Sequence, residues 1–426
     1  MNELVDVTEQ MPPPSGREPG MTLEPDDLET LMQELQTYHA EFSPLFQRRE
    51  QGKWAEKYMQ GQLLPVERKS IQPMAMAAEG GNVQAMQQFI SQSTWQDEPI
   101  LRKHRQIVAE TLGHPGGVLV IDGCEFPKQG KHSVGVKRQW CGALGKIANC
   151  QASVLTSYVG LNGYTLVDRK LYLPQDWFTP EYVARWQACG IPEGTRFRTR
   201  PELAWESLGA LHEEGILPFE WVVFDEAYGE NPALRDQIDA LGLQYLAEVP
   251  VSTLVWARKP KTEVPPGSGT GRPPKRERLT AGAPRAKRAD ALANSLPSRQ
   301  WQLYTIKEGA KGSMAAQFAF KRVWLAQQGL PTRQQWLILR RSLGEGGKLK
   351  VYLSNAPAHT PVGEFVRLSG MRWPIERAIR EAKGELGMDH YEVRTWAGWH
   401  HHMTLTMLAH HFLVRVRSRM KKRRLH

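Results

Sequence analysis

The sequence predicts an α/β fold: a mixed sheet flanked by helices, with a helical N-terminal domain and a β-rich insertion before the last core helix. Two apolar runs carry this expectation. Val118-Leu119-Val120-Ile121 and Trp221-Val222-Val223-Phe224 are continuous, as strands buried on both faces are, and each ends at an aspartate, Asp122 and Asp225. Around them, other segments repeat their apolar residues at helical spacing, so strands and helices alternate.

Residues 1–30 are rich in Pro, Gly, Glu and Asp and are expected to form a disordered tail. Residues 31–112 read as a helical domain. Leu31, Met32, Leu35 and Tyr38 recur at helical spacing, and further runs cover Val83 to Ile90 and Ile100 to Leu112. Arg48, Arg49, Lys53, Lys57, Arg68 and Lys69 lie between the first two runs, either as a solvated helix face or as a DNA contact.

The first part of the core is expected over 113–256. Its strands are Val118 to Ile121, Ser133 to Trp140, Cys150 to Val159, Trp221 to Phe224 and Tyr245 to Val249, with helices over Glu202 to Glu214 and Pro232 to Leu241. Residues 257–300 hold 11 Lys/Arg against 3 Asp/Glu among many Pro and Gly, which reads as a basic linker. Residues 301–360 return to strand-like segments, and Trp301, Trp324 and Trp336 there read first as core. The core closes over 361–414. Pro374 suits the first turn of a helix with Ile375, Ala378, Ile379, Ala382 and Leu386 on one side, and Gly387 stops it. A last helix over His402 to Arg415 leads to a basic tail, 415–426.

The formal net charge is +10, from 55 Lys/Arg against 45 Asp/Glu, which favours a polyanionic partner. No long apolar span points to a membrane. Glu3, Asp6 and Glu9 near the start argue against a signal peptide. Cys124, Cys141, Cys150 and Cys189 have no paired metal spacing and read as buried thiols. His400, His401, His402, His410 and His411 lack a cysteine or carboxylate partner at zinc spacing and read as packing residues.

Arg372, Glu376 and Lys383 are the most informative residues. Glu376 and Lys383 are seven apart, so on a helix they share a face two turns apart. Taken singly, an Asp after a strand caps a turn, Glu376 pairs with Arg380, and Lys383 is a solvated cation. Taken jointly, Asp122 and Asp225 at two strand ends with Glu376 make a set of hard oxygen ligands for Mg²⁺ or Mn²⁺. Two such ions about 3.5–4 Å apart can clamp the attacking and leaving oxygens of an in-line phosphoryl displacement. Arg372 and Lys383 would then offset phosphate charge. Lys128, Lys131, His132, Lys137 and Arg138, on the first hairpin, read either as cations of a solvated edge strand or, since the hairpin flanks Asp122, as further phosphate-binding candidates.

The chain resembles the DDE transposases of the RNase H-like superfamily, and most of all the IS701-type insertion-sequence transposases with an IS4-like C-terminal signature. The resemblance runs from about Leu45 to Leu413. It is carried by Phe126-Pro127-Lys128 through His132-Ser133-Val134-Gly135-Val136, Gly145-Lys146-Ile147-Ala148-Asn149-Cys150-Gln151 and Leu171-Tyr172-Leu173-Pro174. Further on it is carried by Tyr352-Leu353-Ser354-Asn355-Ala356-Pro357, Glu381-Ala382-Lys383-Gly384-Glu385-Leu386-Gly387 and Asp389-His390-Tyr391-Glu392-Val393-Arg394. It implies that Asp122, Asp225 and Glu376 are the metal-binding catalytic triad. It also implies that Arg372 and Lys383 belong to a Tyr-x₂-Arg-x₃-Glu-x₆-Lys signature in which Ser369 replaces the tyrosine. Glu125 reads as structural, with an auxiliary acid as the alternative. The implied protein is a cytoplasmic, nucleoid-associated prokaryotic enzyme. It uses Mg²⁺ or Mn²⁺, with two ions, binds transposon ends and target DNA, and acts as a homodimer in the synaptic complex. The alternatives are a nuclease of the same fold without integration, and a non-catalytic DNA-binding descendant.

Overall fold

The structure, a computed structural model, describes residues 25–265, 275–307, 314–344 and 346–425. They divide into two compact units. One lies within Glu18–Glu220 and Trp373–His426, the other within Trp221–Arg372.

The larger unit opens with five helices: α1 (Pro25–Ala40), α2 (Arg49–Leu63), α3 (Ile71–Ala77), α4 (Val83–Ser91) and α5 (Glu98–Leu112). Their buried residues follow the helical repeat, as with Met86, Phe89 and Ile90 in α4. Asn82 caps α4 by accepting a 2.9 Å hydrogen bond from the Ala85 amide. Four strands follow: β1 (Val118–Pro127), β2 (Lys137–Cys141), β3 (Lys146–Gly160) and β4 (Gly163–Tyr172). β3 pairs antiparallel with the other three. Helices α6 (Val183–Cys189) and α7 (Arg200–Glu214) come next, and Thr199 and Glu202 cap each other at the start of α7.

The smaller unit opens with β5 (Trp221–Phe224), α8 (Glu226–Gly229), α9 (Pro232–Ala240) and β6 (Gln244–Val249). β5 and β6 pair in parallel, Phe224 opposite Ala247. Next come β7 (Leu254–Trp256), β8 (Thr262–Glu263), β9 (Arg278–Leu279), β10 (Lys287–Arg288) and α10 (Ala289–Asn294). The insertion strands are β11 (Gln302–Lys307), β12 (Met314–Gln327), β13 (Leu330–Ser342) and β14 (Leu349–Ser354), and α11 (Val362–Ser369) follows them. β12, β13, β14 and β6 are successive antiparallel neighbours, so the insertion extends the sheet that β5 and β6 begin. This makes the sheet mixed, as expected. Two long helices, α12 (Arg372–Leu386) and α13 (Trp396–Leu425), complete the chain. Among the described residues no helix is long and apolar enough to cross a membrane.

Several expected boundaries move. Met1 to Glu24 of the expected tail lie outside the described residues, while 25–30 already belong to α1. β1 does not end at Asp122. It runs on to Pro127, held by its register with β3, in which Asp122 faces Leu155. β2 starts at Lys137, not Ser133. β4 is an addition to the expected strands, because Asp168 and Arg169 inside it are buried and break the apolar pattern. Asp225 therefore follows the fifth strand rather than the fourth. Positions 266–274 of the basic linker lie outside the described residues. The rest carries β8 to β10 and α10, where Ala289, Leu292 and Ala293 are buried. The basic tail is helical as far as Leu425, because α13 starts at Trp396 and continues past Arg415.

Candidate active site

In the larger unit, Asp122 sits within β1 and accepts a 2.8 Å hydrogen bond from the Gly123 amide. Alternation along a strand puts Cys124 on the face of Asp122 and Glu125 on the other. Burial pushes the Cys124 thiol up to about 12, with Lys383 pulling the other way. The Lys383 ammonium donates to the Glu125 carbonyl at 3.0 Å and lies 5.1 Å from the centre of the Phe126 ring. α12 is thereby fastened to β1 just beyond Asp122. Glu376, two turns earlier on α12, is exposed. The helix buries its other side through Ile375, Ala378, Ala382 and Leu386. Glu125 is committed to Arg200 at 2.9 Å, which favours its structural reading.

In the smaller unit, Asp225 caps α8, its Oδ1 accepting from the Ala227 amide at 3.1 Å. Its Oδ2 lies 3.9 Å from the Arg372 guanidinium, which also stands 3.6 Å from Glu248 Oε2. Lys350 bonds the same Glu248 carboxylate at 2.9 Å. Glu248 faces Tyr352 across the β6–β14 pairing. Burial pushes the Tyr352 hydroxyl up to about 12, Glu248 adding to the rise and Arg340 and Arg372 opposing it. Glu226 is also raised, by burial first and then by Glu248, Glu230 and Asp225. Arg372 thus lies among carboxylates. A Cβ at Gly229 would fall 1.8 Å from the Glu248 carbonyl oxygen, so only glycine lets α8 press this closely on β6. Glu248 is absent from the sequence-based candidates, since a Glu inside an apolar strand segment looks like a solvated edge.

The remaining candidates differ in freedom. Lys128 is not a solvated cation: it donates to the Tyr391 carbonyl at 3.0 Å and lies over the Tyr391 ring, and burial lowers it to about 8. Lys137 pairs with Asp176 at 2.6 Å. Lys131, His132 and Arg138 are exposed, and among the described residues their side chains make no such contact. Ser369, at the signature tyrosine position, is buried in α11 and donates to the Val366 carbonyl at 2.8 Å.

The α13 histidines are packing groups with hydrogen bonds. Tyr58 bonds His402 at 2.7 Å, Thr165 bonds His410 at 3.0 Å, and Tyr38 bonds His411 at 3.2 Å. Trp301 is buried, with Arg341 4.4 Å over its ring, and Trp336 donates to the Pro357 carbonyl at 3.0 Å. The four cysteines are free and buried.

Asp122 and Glu376 in the larger unit and Asp225 in the smaller each carry carboxylate oxygen, the donor type that a hard divalent metal takes. Among the described residues, no three His, Cys, Asp or Glu side chains form a ready-made metal cage.

A family model described as DDE superfamily endonuclease matches residues 41–313, which include Asp122 and Asp225 and end before Arg372. The probable transposase for insertion sequence element IS701 of Microchaete diplosiphon is 28% identical over 198 residues, 46% of this chain and 48% of that protein. The chain thus spans about half the length of this curated relative. Among solved structures, the NurA nuclease from Sulfolobus solfataricus aligns with a TM-score of 0.26 at 10% identity, over 68% of this chain and 92% of that one.

Proposed function

This chain belongs to the DDE superfamily endonucleases, and from that premise we propose that it is a DNA transposase. Its mixed sheet flanked by helices is the RNase H-like architecture of that family. In this reading it binds the terminal inverted repeats of its element, cleaves a DNA strand, and joins the released 3′-hydroxyl to target DNA. Asp122, Asp225 and Glu376 would hold Mg²⁺ or Mn²⁺, two ions in all, which when bound would supply positive charge at the scissile phosphate and lower the pKa of the attacking water.

The chain's own residues supply position and charge. The observation that carries the reading is the Lys383 bond to the Glu125 carbonyl. It fixes the helix bearing Glu376 against the strand bearing Asp122, so these two acids are presented by two fastened elements. Arg372 offers a planar fork of donors to a phosphate, and Lys383 a point charge. Lys131 and Arg138 extend the cationic surface along the DNA backbone. By analogy with the family, the two element ends are paired by a homodimer in the synaptic complex.

The test compares wild type with Asp225→Ala on a duplex carrying the element's end, with and without Mg²⁺. Metal-dependent cleavage by wild type and a loss of at least about 100-fold in the variant are expected. Equal rates would remove Asp225 from the site. Pre-cleaved ends supplied with target DNA then separate a transposase, which joins them, from a nuclease, which does not.

A further inference from the structure

The hairpin formed by β2 and β3 carries an apolar tip that its own fold leaves uncovered. Trp140 and Ile147 face each other across the two strands and are each 59% exposed, and Leu144 in the turn is 47% exposed. The base of the hairpin, in contrast, is fixed. Val134, Val136 and Cys150 are buried, Trp177 donates to the Val136 carbonyl, and Asn149 donates to the carbonyls of Lys128 and Gly130. The tip is therefore a rigidly rooted projection, and solvating a tryptophan there costs stability that burial elsewhere would recover.

Charge identifies the partner. No Asp or Glu occurs from Phe126 to Val167, whereas Lys128, Lys131, Lys137, Arg138 and Lys146 do. Lys128 and Lys137 are engaged within the protein, but Lys131, Arg138 and Lys146 are exposed. Arg138 is two residues from Trp140 and so lies on the same face of β2. A second copy of this hairpin, with Arg138 exposed on the Trp140 face, would be repelled. A polyanion with flat apolar groups would be attracted, and nucleic acid combines the two features. Inside a duplex the base faces are already stacked and a terminal pair leaves only its outer face free, so an indole reaches a base most fully where bases are unpaired.

We infer that the β2–β3 hairpin is a strand-end holder: Trp140 stacks on an unpaired base at a DNA end, while Arg138 on the same face and Lys131 hold the adjoining phosphates. This rests on the reading of the protein as a DNA enzyme. The test uses the full chain and two fluorescent probes, a blunt duplex and the same duplex with a single-stranded oligothymidine 3′ extension. Wild type should bind the extended probe more tightly. Trp140→Ala should weaken that binding roughly tenfold or more, with blunt-duplex binding changed less than about twofold. Trp140→Phe should restore most of the preference, and melting temperatures should match because the ring is exposed.

Three results would overturn the inference. One is a Trp140→Ala protein whose affinities for both probes are unchanged or weakened equally. Another is sedimentation showing wild-type dimers that become monomers in Trp140→Ala at constant DNA affinity, which would make the tip a contact between copies. The third is wild type binding neither probe. In that case the DNA-enzyme reading would fall as well, so the two failures are distinguishable.

Discussion

Arg372 stands between two carboxylates, 3.9 Å from Asp225 and 3.6 Å from Glu248. A guanidinium paired closely with Asp225 would compete with a cation for the same oxygens. Glu248, buried and also held by Lys350, draws the guanidinium the other way. Glu248→Gln removes that pull without changing size. The expected outcome is a rise of roughly 3- to 10-fold in the Mg²⁺ concentration giving half-maximal cleavage, the scale of an ion pair of about 1 kcal/mol. Titrating Mg²⁺ against cleavage rate for both proteins checks this. An unchanged midpoint would mean that Glu248 serves β6 alone. Asp225 is legible in the sequence, because a continuous apolar run delivers it to a strand end. Glu248 is not, because its significance comes from Arg372, which is 124 positions away (372 − 248).

At the scale of elements, strands are legible where apolar side chains fill both faces, as in β5. They are hidden where buried charges pair within the strand, as Asp168 and Arg169 do in β4. The same burial of polar groups marks the packing of α13. Burial lowers His39 and His104 to about 4, and His400 and His402 to about 3. Glu381 on α12 is half-buried. Burial alone would raise its carboxyl, but the His410 hydrogen bond and the Arg417 charge outweigh it and hold it down to about 2. The signs agree. Each histidine is neutral in both states above its ordinary value of about 6.5. Below that, the unfolded chain takes up protons that the folded chain refuses, so stability falls as pH drops toward about 3–4. Glu381 adds a further loss from about 4.5 down to about 2. Each histidine contributes at most about 1.4 kcal/mol per pH unit in that window. Urea midpoints followed by tryptophan fluorescence should therefore fall between pH 7 and pH 5, by the equivalent of roughly 2 kcal/mol or more. Midpoints independent of pH over that range would show that these histidines are not held neutral.

Across the whole molecule, the α/β class is legible from local pattern, but the larger unit joins 18–220 to 373–426, a pairing of distant segments that periodicity does not report. The C-terminal cations show the consequence. In the sequence they form one basic tail, yet α13 divides their roles. Arg417 bonds Glu381 at 2.8 Å and Arg419 pairs with Glu34, so these two hold helices together. Lys421, Lys422, Arg423 and Arg424 follow with no acid among them. Removing residues 421–426 should leave the melting temperature within about 2 °C. It should also flatten the dependence of log DNA affinity on log salt by up to about 3.6, at roughly 0.9 for each phosphate no longer neutralised. Arg417→Ala should do the reverse, lowering the melting temperature by several degrees and changing the salt slope by less than about one, because its guanidinium is spent on Glu381. Affinities measured from about 50 to 200 mM salt decide between them. A truncated protein with the full wild-type slope would show that the end of α13 does not touch the DNA backbone.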